Sequence, residues 1–261
     1  MSESHRQLAR AYYQALWSPQ CATALEQYLA PGYREHQYTA GFTREGLRAY
    51  VEGAARGPPA ARRMLIHHEL SDGEFAFLFV EEQLGGGVDY ARAELFRIEQ
   101  GLIAEHWGAH VLDDKNRKNP NGTFDGARVD RSVDHARRHA AQFEALDRRG
   151  FDGQELETFA ISRRPEYRQH SPKGGDGLHG LVEILGKAKQ AGIKVSMSCR
   201  RTLRDGDFVV SHRLYDTSPP HPLMTRINTF DVFRLDADGR AVEHWDVMEP
   251  VPSADLLQHM F

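Results

Sequence analysis

Two cysteines, Cys21 and Cys199, are all that the 261 residues contain. No C-x-x-C and no Cys/His zinc spacing occurs, so neither a disulfide framework nor a structural zinc site organises the chain. No apolar run approaches the ~18 residues that a membrane-spanning helix needs. Residues 1–7 are polar and lack the apolar core of a secretory signal. Charge of one sign is also missing. The net charge is −4 and the pI about 6.4, which gives no footprint for nucleic acid or for an acidic membrane surface. These absences point to a cytoplasmic globular protein.

What the chain does have is histidine, 14 in all, and an internal repeat. Tyr33-Arg34-Glu35-His36 returns as Tyr167-Arg168-Gln169-His170. Asp72-Gly73-Glu74-Phe75 returns loosely as Asp205-Gly206-Asp207-Phe208, Glu94-Leu95-Phe96-Arg97 as Asp231-Val232-Phe233-Arg234, and Glu105-His106-Trp107 as Glu243-His244-Trp245. The offsets run from 133 to 138 residues in unchanged order, which is the drift that loop insertions leave in a duplicated domain. Residues 113–130 carry Asn119-Pro120-Asn121-Gly122 and Asp125-Gly126, both turn signals. The expected domains are therefore 1–130, with 113–130 as linker, and 131–261.

Each half reads as helices followed by strands. Leu8, Tyr12 and Leu16 form a helical stripe, and so do Ala136, Ala140, Phe143 and Leu146. Shorter helices are expected near 22–29 and 154–160, and again at 45–54 and 178–189. Strands are expected at 64–70, 75–82, 91–97 and 102–110, and at 193–203, 208–215, 225–234 and 241–248. This order predicts α+β domains, two in tandem, each with helices packed on a curved antiparallel sheet that leaves a pocket at its open end. The loops at 84–88 and 217–223 would shape the pockets.

The last hairpin of each half brings chemistry together. Asp236-Ala237-Asp238-Gly239 is a turn signal. Pairing Leu235 with Arg240 places Asp231 opposite His244 and Thr229 opposite Asp246. Alternation then puts Asp231, His244 and Asp246 on one face, with Trp245 on the other. In the first half the same reasoning sets Glu94 opposite His106, Tyr90 opposite His110, and Arg92 opposite Gly108, so glycine stands where the second half has Asp246.

The series Tyr167, His170, Ser171, Pro172, then Phe230, Asp231, Phe233, Arg234, Gly239, Glu243, His244, Trp245, Asp246 and Val247 resembles the SnoaL-like polyketide cyclase family. Within it, the series looks like the subgroup of aldol-condensation-catalysing enzymes. The resemblance is stronger in the second half. The first has Gln37-Tyr38 in place of Ser-Pro, and Gly108. It implies the cone-shaped fold of the nuclear transport factor 2-like superfamily, and acid–base chemistry on hydrophobic cyclic substrates without metal or organic cofactor. It also implies pairing through the outer face of the sheet, so that the fused halves would form a pseudo-two-fold internal dimer with Trp107 and Trp245 at or near the interface.

An aldol closure needs a base for the proton alpha to a carbonyl and a donor for the enolate oxygen. Asp246 suits the base, since burial in an apolar cone raises a carboxyl pKa. His244 and His170 are candidate donors or shuttles, Asp231 would orient His244, and His212 is a fourth polar candidate. His36, Glu94, His106, His110, Tyr90 and Arg92 form a secondary candidate site. Each also has a structural reading. Asp231 and His244 can be a self-satisfied cross-strand pair, His170 a loop cap, and His212 a packing residue. His170, His244 and Asp246, or His36, His106 and His110, supply donors for a metal, but the spacing matches no known signature, so no metal and no cofactor is expected. A hydrophobic small molecule is the expected partner. Hydrolysis or dehydration through an activated water, and ligand binding alone, stay open.

Overall fold

The computed structural model describes residues 2–55, 62–84, 87–220 and 225–261. Parts of the two loops at 84–88 and 217–223 lie outside the described residues. The chain forms two compact units. One runs up to Leu112 and includes Pro252–Phe261; the other is Asp113–Val251. The segment that follows the last strand of each repeat thus belongs to the other unit. Residues 113–130, which the sequence reading attached to the first half, pack with the second.

The first unit contains α1 (Ser2–Leu16), α2 (Cys21–Tyr28), β1 (Leu29–Glu35), α3 (Arg44–Ala55), β2 (Arg63–Asp72), β3 (Phe75–Gln83), β4 (Asp89–Glu99) and β5 (Leu102–Leu112). The second repeats this order. It has α4 (His135–Asp152), α5 (Thr158–Ser162), β6 (Arg163–Gln169), α6 (Gly177–Gln190), β7 (Lys194–Asp205), β8 (Phe208–Ser218), β9 (Arg226–Leu235) and β10 (Ala241–Pro250). A short α7 (Leu257–Met260) ends the chain. The sheets are ordered β1-β5-β4-β3-β2 and β6-β10-β9-β8-β7.

The four antiparallel strands of each half are present. The fifth, β1 or β6, runs parallel to the last strand and was missed in the sequence. Both carry proline, Pro31 or Pro165, which lowers strand propensity and is tolerated where these strands lie, at a sheet edge.

The helices cover one face of each sheet, here called the inner face. In the first unit Ala9, Tyr12, Tyr13 and Leu16 of α1 pack with Ala76, Leu78, Val80 and Phe96. In the second, Ala136, Ala140 and Phe143 of α4 pack with Val209, Phe233 and Leu235. Full burial of each large apolar side chain contributes on the order of 1.5–3 kcal/mol. Arg137, Arg138, Arg148 and Arg149 are exposed, so they form the solvated face of α4.

The register differs from the turn-based expectation by two residues. Asp246 pairs with Asp231 and His244 with Phe233; Gly108 pairs with Glu94, His110 with Arg92, and His106 with Phe96. The turn is one residue longer on the return strand, and a bulge follows it at Val242, matched by one at Ala104. Two single-residue shifts add to an even number. Every side chain therefore stays on the face expected from alternation.

Candidate active site in the second unit and its counterpart in the first

In the second unit the inner face of β9 and β10 carries Asp231, His244 and Asp246. Their donor atoms lie within 4.8 Å of one another. His244 Nε2 is 3.0 Å from Asp231 Oδ1, and His244 Nδ1 is 3.0 Å from Gln169 Oε1. Gln169 Oε1 also accepts from the Ser171 backbone N–H at 2.9 Å, which fixes the amide with its oxygen toward His244. The ring thus donates through Nδ1 to Gln169, and Nε2 faces Asp231. On its other side Asp231 Oδ2 accepts from Tyr215 Oη at 3.1 Å and lies 3.5 Å from Arg213 Nη1.

Behind this chain lies a buried ionic cluster. Arg213 and Asp147 are fully buried, and Arg163 nearly so. Arg213 Nη1 is 3.0 Å from Asp147 Oδ2, and Arg163 Nη1 is 2.6 Å from Asp147 Oδ1. Burial works against the Asp147 charge, but the two guanidiniums outweigh it and hold its carboxyl below the usual range. Together with Arg213, the cluster anchors one oxygen of Asp231 in place.

Asp246 differs from all these carboxylates. Among the described residues it has no arginine partner, and it keeps part of its surface accessible. Burial raises its pKa, and the facing Asp231 adds to the effect. His244, the Ser171 hydroxyl and Lys173 act the other way, leaving it at about 6. A carboxylate at that value can accept a proton near neutral pH and return it.

His170 and His212, both placed with Asp246 in the sequence reading, lie elsewhere. His170 stacks on Trp245, with ring centroids 4.6 Å apart and planes at 2°. Its Nδ1 is 2.8 Å from the Gly122 carbonyl and its Nε2 is 3.4 Å from Glu243 Oε1. Trp245 points to the outer face, so His170 does too. His212 pairs with Phe230 on that outer face, stacks on it at 4.2 Å, and contacts Asn228 Oδ1 at 2.8 Å. The reason is alternation: in Tyr167-Arg168-Gln169-His170, the residue that shares the inner face with Tyr167 is Gln169. Neither Gln169 nor its counterpart Glu35 is among the site residues expected from the sequence.

The first unit has the same frame with different occupants. His36 stacks on Trp107 at 4.6 Å and meets Glu105 Oε2 at 3.0 Å and the His259 carbonyl at 2.6 Å, so it too leaves the inner set. His106 bridges Glu35 at 2.9 Å and Glu94 at 2.7 Å. Glu94 also bonds Arg92 Nε at 2.8 Å and the Tyr13 hydroxyl at 3.0 Å, and Arg92 continues to Glu82 at 2.9 Å. Burial alone would lower the His106 pKa. The two glutamates reverse this and raise it to about 10. Burial would raise that of Glu94, but Arg92 and His106 hold it at about 2. Tyr90 and His110 lie farther along the same face with their rings 6.0 Å apart.

Gly108 stands where Asp246 does. A Cβ there would lie 2.8 Å from Glu94 Oε2 and 3.2 Å from Gln37 Nε2. The longer Glu94 and the amide of Gln37 fill the volume that Asp246 occupies in the second unit.

Among the described residues neither of the two histidine donor sets weighed for a metal comes together, because His170 and His36 face away from their partners. The cluster of Asp231, His244 and Asp246 has the compactness of a metal site. However, Asp231 is bonded to His244 and Tyr215 and lies beside the Arg213 guanidinium, a donor set built around cations the chain already supplies. A recess of about 590 Å³ lies outside the inner face, between Gly126, Arg164, Arg168, Arg234 and Glu243. Its arginines are matched by Asp236, Asp238 and Glu243.

Residues 9–106 match the family model described as a SnoaL-like domain. The match falls within the first repeat, and the second repeats its strand order and its bulge. The motif residues put the stronger resemblance on the second repeat, whereas the family match falls on the first. No curated protein matches the chain. Among solved structures, the chain is similar to TsrD from Streptomyces laurentii, with 18% identity over 42% of this chain and 87% of that one, TM-score 0.37. It is likewise similar to IdmH from Streptomyces antibioticus, a candidate polyketide cyclase, with 18% identity over 45% and 97%, TM-score 0.37. An LEH-like epoxide hydrolase of M. tuberculosis shares 16% identity over 46% and 88%, TM-score 0.35. No helix among the described residues is long and apolar enough to cross a membrane.

Proposed function

We propose that the second unit is a cofactor-independent acid–base catalyst, in which Asp246 removes a proton alpha to a carbonyl of a hydrophobic small molecule. The observation that carries this reading is Asp246 itself: among the described residues it is a partly accessible carboxylate without an arginine partner, whereas Asp231 and Asp147 lie against arginines. Desolvation supplies the basicity, and the facing Asp231 increases it. His244 has a positioning role: with Nδ1 bonded to Gln169 and Nε2 to Asp231, it has no ring nitrogen left for an enolate oxygen and instead fixes Asp231 opposite Asp246. Arg213 and Tyr215 hold Asp231, so His244 is oriented by a chain of bonds that reaches α4.

The first unit supports the assignment by contrast. Its carboxylates are locked to Arg92 and His106, and Gly108 offers no base. The test is proton–deuterium exchange alpha to the carbonyl, followed by NMR in D2O over a panel of hydrophobic cyclic ketones and diketones. Asp246→Asn is expected to cut exchange by about 10²–10⁴-fold, while Glu94→Gln leaves it in place. Exchange that survives in Asp246→Asn and disappears in Glu94→Gln would move the reaction to the first unit. Exchange by neither, with hydrolysis of an epoxide or lactone instead, would make Asp246 a base for water.

A further inference from the structure

Each unit carries on its outer face a group of side chains that the proposed reaction does not use. In the first, the His36 ring lies flat on Trp107, with centroids 4.6 Å apart and planes at 8°. Its Nε2 is 3.0 Å from Glu105 Oε2, and its Nδ1 is 2.6 Å from the His259 carbonyl. Glu105 is held in turn by Arg34 and Arg97. The second unit repeats the group. His170 lies on Trp245, its Nε2 faces Glu243 at 3.4 Å, and its Nδ1 meets the Gly122 carbonyl at 2.8 Å. Arg234 holds Glu243. In both units the carbonyl comes from a segment that follows a last strand, residues 113–130 or Pro252–Phe261.

We infer that this group is a socket for a backbone carbonyl, and that in the first unit it is a proton-dependent anchor for the strap Pro252–Phe261. A carbonyl and a carboxylate only accept hydrogen bonds. Both ring nitrogens of His36 therefore donate, and only the imidazolium has two N–H groups. A neutral ring keeps one bond and turns a lone pair toward the other oxygen. The face of Trp107 favours the cation. The other charged or titratable groups around the ring are Glu35, whose Oε1 accepts from the His36 backbone N–H at 3.0 Å, Arg34 and Arg97 behind Glu105, and the His259 ring, which packs on Phe42 at 5.1 Å.

The two straps are held differently. In the second unit Asn119 clamps the Ser171 and Gly174 carbonyls through both hydrogens of Nδ2, at 2.7 and 2.8 Å, and the Asp125 carbonyl accepts from Trp245 Nε1 at 2.8 Å. Within Pro252–Phe261 only Met260 is buried, and it adjoins the carbonyl that His36 grips. The strap of the first unit thus depends on one histidine, and loss of a proton there should release it.

The test is hydrogen–deuterium exchange of the full-length protein across pH, read by mass spectrometry on a peptide covering 253–261 and corrected for intrinsic rates. His36→Phe keeps a ring on Trp107 and removes both N–H groups. It should speed exchange of that peptide by about tenfold or more and leave residues 119–125 and β5 unchanged. As pH rises from about 6 to about 9, the corrected rate in wild type should climb toward that of the variant, whose own rate stays flat. In parallel, ¹⁵N shifts of the wild-type His36 ring should show the second ring proton leaving as the strap opens, a readout that holds even if His36→Phe fails to fold. Unaltered strap exchange in folded His36→Phe, an equal pH response in both proteins, or a ring that loses its proton while the strap stays protected would overturn the inference.

Discussion

The inner faces of the two units are built on one frame and differ chiefly at two paired positions. In the first, Glu94 faces Gly108; in the second, Asp231 faces Asp246. One methylene moves the carboxylate of β4 into the space that β10 gives to a second carboxylate. With Glu94 and Gln37 in that space, the first unit has a closed chain of charges from Glu35 to Glu82. With the shorter Asp231, the second has room for a carboxylate that forms no ion pair with an arginine among the described residues. A buried ion pair contributes little net stability over an apolar pair, yet losing one partner is costly. In the first unit Glu35, Glu94 and Glu82 are each bonded to His106 or Arg92, and the second holds a group whose ionisation opposes folding at neutral pH.

The largest effect expected from this contrast comes from His106→Leu. It removes the imidazole bonded to both glutamates, leaving Glu94 to Arg92 and Tyr13 but Glu35 only to Tyr33 and two backbone N–H groups, and should cost about 3–5 kcal/mol, read from the denaturant midpoint of the first unit. His244→Leu should cost less, about 1–3 kcal/mol, because Asp231 keeps Tyr215 and Arg213. Equal losses would break the comparison. The pH dependence has a definite sign. His106 is raised from 6.5 to about 10, so its contribution is complete below pH 6.5 and is lost as pH rises through 10. Glu94 is lowered from 4.5 to about 2, so its contribution is present above pH 4.5 and lost as pH falls through 2. The first unit should be most stable between those windows.

Next in size is Gly108→Asp, which forces a Cβ and a carboxylate against Glu94 and Gln37. A loss of about 2–4 kcal/mol is expected, and adding Glu94→Asp should restore part of it by reproducing the arrangement of the second unit. If the double variant is no better than the single one, the methylene is not what distinguishes the two faces.

The smallest effect is a gain. Asp246 is raised from 3.8 to about 6, so its protonated form favours the fold below pH 3.8, and that advantage is lost as pH rises through 6. Asp246→Asn, which stays neutral, should therefore stabilise the protein by roughly 1–3 kcal/mol above pH 6 while removing the proposed base. Thermal melts at pH 5 and pH 8 check this; a variant that is destabilised at pH 8 would contradict it.

Much of this arrangement was legible in the sequence, for identifiable reasons. The repeat located the two units, and strand alternation put Asp231, His244 and Asp246 on one face although the register was displaced by two residues. Alternation within an unrecognised strand had the opposite effect. Pro31 and Pro165 disguised β1 and β6, so His36 and His170 were grouped with the inner residues while Glu35 and Gln169 were passed over. Asp147, Arg163, Arg213 and Tyr215 belong to no motif and come from three separate elements, so only the packed structure shows that they support Asp231. The asparagine clamp was visible as Asn119-Pro120-Asn121-Gly122, but it read as a turn, because what a side-chain amide grips across the fold leaves no local pattern.

The account turns on Asp246 being free to exchange a proton near neutral pH while the carboxylates of the first unit are not. Site-resolved ¹³C titration of the aspartate and glutamate carboxyls in the intact protein measures this directly. The account predicts that Asp246 titrates near pH 6 and that Glu94 stays ionised down to about pH 2. An Asp246 midpoint at or below the ordinary value of 3.8, or Glu94 titrating near neutral pH, would contradict it.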